Sequence, residues 1–459
     1  MKRLERLISG GSAGLVVIWG RRRIGKSRLL TEWCRKCRGS YWVADESSAA
    51  IQRSYLAVEL ESLFPGISLV DYPDWSVFLD RISGEARAKK WHGPLVLDEF
   101  PYLVAQAPEL PSVLQRWVDS EKMSGGITLV LSGSSQCMMQ SSILDSSAPL
   151  YGRADEIIRL EPILPGYIKR DLLLSDASQA LDFYACWGGV PRYWELAESF
   201  GTNQMEAVND LVLSPLGVFH DEVERLLRQE MPSAVALRPI LDAIGLGANK
   251  SSEIAGRLQV ASTSIARPLK QLQDLGYIRR EVSYGENEKK SKKSLYKLAD
   301  PFLRLWFRVV APHKGVLQTA GSKSRLRFLT NVWSQLRAEA WEDLCRRAIP
   351  SLHFADKDWW PAGRHWVSGG SEWDVVSHSL DSSMLLLGEC KSLSRRAGQK
   401  DINKIIKIVL AKKNPLIRGN AEMQKKYLIF VPSIDADRKI VVPDNVHIID
   451  GRQIFDVLV

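Results

Sequence analysis

The run from Leu15 to Leu30, LVVIWGRRRIGKSRLL, constrains this chain more than any other stretch. Leu15 to Trp19 is short, apolar and rich in β-branched residues, the pattern of a strand buried on both faces of a parallel sheet. Gly20, Gly25, Lys26 and Ser27 then satisfy GxxxxGK(S/T), and Leu29, Leu30 and Trp33 follow at helical spacing. Strand, loop and helix in that order turn backbone N–H groups and a helix N-terminus onto one anion. Gly20, Arg21, Arg22, Arg23, Ile24, Gly25, Lys26, Ser27 and Arg28 are therefore expected to cradle the phosphates of a nucleotide. Lys26 reaches the β and γ oxygens there, and the Ser27 hydroxyl is placed to ligate magnesium.

Ser40 to Ala44 reads as a second strand, and Ile51 to Phe64 and Trp75 to Ala88 have helical spacing. Leu95 to Leu97 is a third strand that ends in two adjacent acids, Asp98 and Glu99, 72 positions beyond Lys26. A carboxylate at such a strand tip holds the magnesium, and its neighbour polarises the attacking water. Asp98 takes the first role and Glu99 the second. A fourth strand, Ile127 to Leu131, runs into Ser132-Gly133-Ser134-Ser135. Ser134 either senses the γ-phosphate or belongs to a simple Ser/Gly turn. Arg153, before a fifth apolar stretch, either neutralises transition-state charge or sits in a salt bridge.

With 459 residues the chain has room for two to four domains. No apolar run approaches the roughly 18 residues that span a bilayer, and a cytoplasmic protein without membrane partners is expected. Six scattered cysteines include one CxxC, Cys34 with Cys37, without a second pair to complete a zinc site. Lys and Arg total 62 against 53 Asp and Glu, and the net charge of +9 favours polyanionic partners or only a solvated basic surface.

The set GRRRIGKS, LVLDEFPYL, LSGSS, LYGRADEIIRLEP and WGGVPRYWEL resembles the archaeal-type prokaryotic ATPases allied to the AAA+ and STAND NTPases. The resemblance covers most of residues 10 to 200. It implies ATP rather than GTP as the nucleotide, and it implies that Gly189-Val190-Pro191 lies in a helical lid with Pro191 close to the nucleotide. A homo-oligomer is compatible with it.

Further on, Ser251 to Leu258, a turn at Gln259 to Ser262, and Ile265 to Leu275 have helix-turn-helix texture. Tyr277 to Val282 and Leu295 to Leu298 add a hairpin, completing a winged-helix plan. Such a module sets Ser262, Ser264, Arg267, Lys270 and Gln271 toward DNA, with Lys289, Lys290, Lys292 and Lys293 on phosphates at the wing, or it serves as a spacer or protein dock. The segment Asp300 to Phe307 is similar to the one that, in this family, leads into a C-terminal domain.

In that domain Trp373 to His378 and Met384 to Lys391 flank the turn Leu380 to Ser383. A hairpin tip between Asp381 and Ser382 puts Asp374 directly across from Glu389, and Lys391 shares the face of Glu389 because side chains alternate. Two acids and a lysine converge, as metal-assisted phosphodiester hydrolysis requires: Asp374 and Glu389 hold the metal, and Lys391 orients the nucleophile or offsets charge. Glu342 on the preceding helix supplies a further carboxylate, with Glu339 competing for that position. The pattern Asp374…Glu389-Cys390-Lys391 resembles the PD-(D/E)xK restriction-endonuclease-like fold, with Trp373 where a proline usually precedes the first acid.

The whole is thus expected to be α/β: a P-loop NTPase with a parallel sheet (1–200) and helical lid (201–232), a winged-helix domain (233–300), a connector helix (301–330) and an α/β restriction-endonuclease-like domain (331–459). The expected activity is ATP binding and hydrolysis with Mg2+, coupled to DNA binding or metal-dependent DNA cleavage. The alternative is a regulatory NTPase switch whose later domains make protein contacts without cleavage.

Overall fold

The computed structural model describes residues 3–5, 14–124, 126–134, 139, 143, 145–172, 174, 176–230, 237–288, 291, 294–367, 370–415, 417, 423–435 and 440–459. Contacts divide them into two compact units, one of residues 1–162 with 228–232, the other of residues 163–227 with 233–459.

The first unit is built on a parallel sheet of five strands: β1 (Leu15–Trp19), β2 (Ser40–Val43), β3 (Leu95–Asp98), β4 (Leu129–Gly133) and β5 (Glu156–Arg159), in the order β2-β3-β4-β1-β5. Helix α1 (Lys26–Cys37) follows β1 directly. Helices α2 (Ala49–Leu60) and α3 (Trp75–Lys89) lie between β2 and β3, and α4 (Phe100–Gln106) and α5 (Leu110–Ser124) between β3 and β4. Alternation along the central strands explains why they lack a polar face. Leu15, Val17, Leu95, Leu97, Leu129 and Leu131 pack into one core with α2, α3 and α5, while Val16, Ile18, Val96 and Val130 pack on the other face with Leu30 and Trp33 of α1.

In the second unit, α6 (Ala177–Trp187) and α7 (Pro191–Ala197) precede a group of α8 (Arg238–Gly245), α9 (Ser251–Leu258), α10 (Ala266–Asp274) and the antiparallel hairpin of β6 (Ile278–Val282) and β7 (Ser294–Leu298). This is the element order expected of residues 233–300; the wing lysines 289, 290, 292 and 293 lie outside the described residues. Asp300 caps α11 (Pro301–Leu305) by accepting from Phe302 N at 2.7 Å. The long α12 (Ser322–Ala348) follows. The expected boundary at 330 therefore falls inside one continuous helix, since no Gly or Pro interrupts residues 322–348.

A second five-stranded sheet, of mixed direction, closes the unit: β8 (Gly363–His365), β9 (Trp373–His378), β10 (Met384–Cys390), β11 (Gln424–Val431) and β12 (Val446–Asp450), ordered β12-β11-β10-β9-β8. Helix α13 (Gln399–Ala411) buries Ile402, Ile405, Ile406 and Val409 against Val376, Leu385, Leu387 and Ile429. On α12, Trp341 donates to Phe430 O at 3.2 Å. Residues 163–200 belong to this unit rather than to the first, a correction to the expected boundary at 200 with a local cause. Gly166 N donates to Leu458 O at 2.8 Å, Ser433 Oγ to Asp176 at 2.8 Å, and the buried Arg337 of α12 to Asp182 of α6 at 2.6 Å.

One buried hub joins three elements here. Asp343 of α12 accepts from Arg279 of β6 at 2.8 Å, from Arg346 at 2.7 Å and from Arg304 of α11. Burial opposes its ionisation, yet the three guanidinium groups hold its carboxyl well below the usual carboxylate range. Among the described residues no helix is long and apolar enough to cross a membrane.

Candidate functional site

At the tip of β1 the chain turns through Gly20 to Gly25 into α1. A Cβ on Gly20 would stand 2.7 Å from Leu160 O, so only glycine fits beside β5. Gly25, at φ 92°, takes the left-handed conformation that turns the loop into the helix. Ile24 is buried and anchors the loop, and Arg22 donates to Tyr102 OH at 3.4 Å. The buried Lys26 donates to Gly20 O at 2.9 Å and to Arg21 O at 3.2 Å, which holds its ammonium over the loop. Arg21, Arg23 and Arg28 add positive charge in the same short run.

The parallel register carries the tip of β3 to this loop. Asp98 is 1% exposed; its Oδ2 accepts from Ser27 Oγ at 2.8 Å and from Tyr41 OH at 2.7 Å, and its Oδ1 accepts from Glu99 N at 3.0 Å. Ser27 and Asp98 thus present two hard oxygen ligands to one point, a donor set that fits magnesium. Tyr41 of β2 was not expected at the site. Burial, then the bond to Asp98, pushes its phenol upward, so it stays a donor to the carboxylate. Its signal in sequence is only its place on the strand beside β3.

Glu99 has φ 52°, a left-handed conformation that costs a side-chain-bearing residue roughly 1–2 kcal/mol. That turn brings its Oε2 against the end of β4, where Ser134 Oγ donates at 2.9 Å and Ser134 N at 3.3 Å. Ser134 therefore meets Glu99 itself, and Ser135 lies outside the described residues. Arg153 requires a correction. It precedes β5, which runs parallel to β1, so it stands at the opposite end of the sheet from the loop, paired with Asp119 at 3.1 Å. Of its two readings the salt bridge holds. Pro191 opens α7 in the second unit, where Gly189 O accepts from Ile163 N at 2.8 Å.

The second unit holds a second cluster. Its β9–β10 ladder pairs Leu385 with His378 through Gly388 with Val375, the expected register, and one step further sets Asp374 across from Glu389. Cys390 N donates to Asp374 Oδ2 at 2.9 Å. Lys391 pairs with Glu389 Oε1 at 2.8 Å. Burial works against the Lys391 charge, and Glu389 raises its pKa nonetheless. Glu342 joins them, whereas Glu339 is engaged by Arg308 at 2.8 Å. Burial and then Asp374 push Glu342 upward; burial and then Glu389 push Asp374 upward.

Lys412, just past α13, was not expected. It bonds Glu389 Oε2, donates to Glu372 O at 2.7 Å and lies 5.2 Å from the centre of the Trp373 ring. Both oxygens of Glu389 are thereby taken by lysines. Among the described residues no group of three or more His, Cys, Asp or Glu is arranged to hold a metal ion. The cluster as built does not fit the carboxylate metal centre expected of Asp374 and Glu389, because two ammonium groups already balance Glu389. The CxxC thiols are not poised for metal either: burial pushes Cys34 up to about 12 and raises Cys37.

With both sites described, three comparisons place the chain. Residues 306–405, which include Glu342, Asp374, Glu389 and Lys391, match the family described as archaeal and bacterial proteins of unknown function. An uncharacterised protein of Methanocaldococcus jannaschii is 24% identical over 439 residues, 95% of each chain. The Walker-type ATPase PABY2304 of Pyrococcus abyssi has a TM-score of 0.51 at 18% identity, over 67% of this chain and 95% of that one. The ORC2 protein of Aeropyrum pernix, with ADPNP and ADP, gives 0.40 at 15% identity over 73% and 91%. By its sheet and by the Pyrococcus likeness, the protein has the mixed α/β fold of a P-loop ATPase.

Proposed function

We propose that the protein binds and hydrolyses ATP at the loop Gly20 to Ser27, and that nucleotide state controls engagement of nucleic acid by the second unit. The observation that carries the first half is the Asp98 carboxylate, held by Ser27, Tyr41 and the Glu99 backbone beside Lys26. Lys26 and the loop N–H groups bind the phosphates, and Ser27 with Asp98 holds magnesium. Magnesium, when bound, supplies positive charge to the β and γ phosphate oxygens. Glu99 accepts the proton of the attacking water, and Ser134 fixes the direction of its carboxylate.

For the second half, the support is an exposed polar face on α10. Ser262, Ser264, Arg267 and Lys270 are exposed while Leu269 and Leu272 are buried, the division expected of a winged helix set to meet phosphates. The clamp of Lys391 and Lys412 on Glu389 favours binding without cleavage. Accordingly, Arg267→Ala with Lys270→Ala is expected to weaken duplex binding about fivefold to thirtyfold and to flatten its salt dependence, as loss of two phosphate contacts does. Fluorescence anisotropy across a salt series measures this, with and without ATP. Plasmid incubated with magnesium or manganese should stay intact for the wild type and Asp374→Ala alike. Binding unaffected by the double change and by ATP would remove the nucleic-acid reading; cutting that depends on Asp374 would replace binding with cleavage.

A further inference from the structure

A cavity of about 320 Å³ lies wholly within the second unit, between α8, β7, α11, α12 and β8. Its walls carry four cations, Lys297, Arg304, Arg308 and Arg364, against two acids, Glu339 and Glu342. An excess of two positive charges in an enclosed space calls for anionic company.

The guanidinium groups show where that company would sit. Arg304 is 3% exposed; its Nε donates to Leu298 O at 3.1 Å and its Nη2 to Asp343, while its Nη1 is buried with no acceptor among the described residues. Arg308 spends Nη2 on both oxygens of Glu339, at 2.8 and 3.0 Å, and its Nη1 is likewise buried without an acceptor. Arg364 bonds Glu372 through Nη2, and its Nε is in the same condition. Three charged donors from three different elements are thus left with hydrogen-bonding capacity, and all three residues line one cavity. Folding does not leave buried charged donors unmet without cause.

We propose that this cavity binds a phosphate monoester dianion, with Arg304, Arg308 and Arg364 donating to its oxygens and Lys297 adding charge. The forked donors of arginine match phosphate oxygens, and two negative charges balance the walls. The volume stands at the low end for ligand pockets, which suits a phosphate group with a small substituent. That group is carried either by a small phosphate ester or by the terminal phosphate of a nucleic-acid strand.

The test uses the full-length chain with Lys26→Ala, so that the phosphate loop does not contribute. Isothermal titration at constant ionic strength, in chloride, compares inorganic phosphate, glycerol phosphate, and one oligonucleotide with and without a 5′-phosphate. We expect saturable binding by at least one of the phosphate-bearing probes. Arg308→Gln and Arg364→Gln should weaken it about tenfold or more, the loss of a charge-assisted hydrogen bond, and the exposed Lys400→Gln should leave it unchanged. Binding of phosphate and glycerol phosphate supports the proposal with a small ester as the source; binding of the 5′-phosphorylated strand alone supports it with a strand end as the source. Circular dichroism checks each variant, and if Arg308→Gln does not fold, Arg364→Gln carries the comparison. No saturable binding by any phosphate probe, or equal affinity in the folded arginine variants and their parent, would overturn it.

Discussion

Replacing Glu99 by glutamine is expected to lower ATP turnover by about 100- to 10,000-fold, the span that a positioned general base contributes, while leaving nucleotide affinity nearly unchanged. The reasoning is geometric. Glutamine keeps the length and the left-handed turn of residue 99 and still accepts from Ser134 through its amide oxygen, so the loop and Asp98 are undisturbed. What is lost is the ability to take a proton from water. Single-turnover hydrolysis alongside equilibrium binding separates the two effects. A variant that turned over ATP at the parental rate would show that Glu99 is a turn residue and not the base.

Replacing Asp343 by asparagine is expected to destabilise the second unit by about 3–5 kcal/mol, the cost of removing one partner from a buried ionic group. Arg279, Arg304 and Arg346 all converge on this carboxylate, and an amide leaves their charges buried without compensation. Urea unfolding measures the loss. The same hub predicts acid lability with a definite sign. Because the folded pKa of Asp343 is depressed, its contribution is complete above the ordinary Asp value of about 3.9 and disappears as pH falls below it toward the folded value. The parent should therefore lose stability more steeply than Asp343→Asn as pH is lowered from about 5.

Which parts of this molecule were legible in the sequence follows from how local their causes are. The loop after β1 could be read because strand, glycines, lysine and helix are contiguous, and hairpin register could be read because the turn at Asp381 and Ser382 sets every cross-strand pair of β9 and β10. Helix α14 (Gly451–Val457) had a readable signal that was passed over: Asp450 and Gln453 form a reciprocal capping box, with both bonds at 3.0 Å. Other features have no local signature. Tyr41 reaches Asp98 across 57 positions, and Lys412 reaches Glu389 across 23, each through a neighbouring element that only tertiary packing supplies. The salt bridge of Arg153 with Asp119 depends on where β5 lies in the sheet, and the division at 162 depends on contacts of residues 163–200 with the far end of the chain. Periodicity reports which face is buried and not what it is buried against.

The central claim is that the loop Gly20 to Ser27 is an ATP site, and equilibrium binding of a fluorescent ATP analogue to the full chain, with and without magnesium, tests it most directly. Parental protein should bind saturably and more tightly with magnesium. Lys26→Ala should weaken binding by about tenfold to a hundredfold, as loss of a charged hydrogen-bond donor to phosphate requires. Equal affinity in the two proteins, or no binding by the parent, would contradict the account.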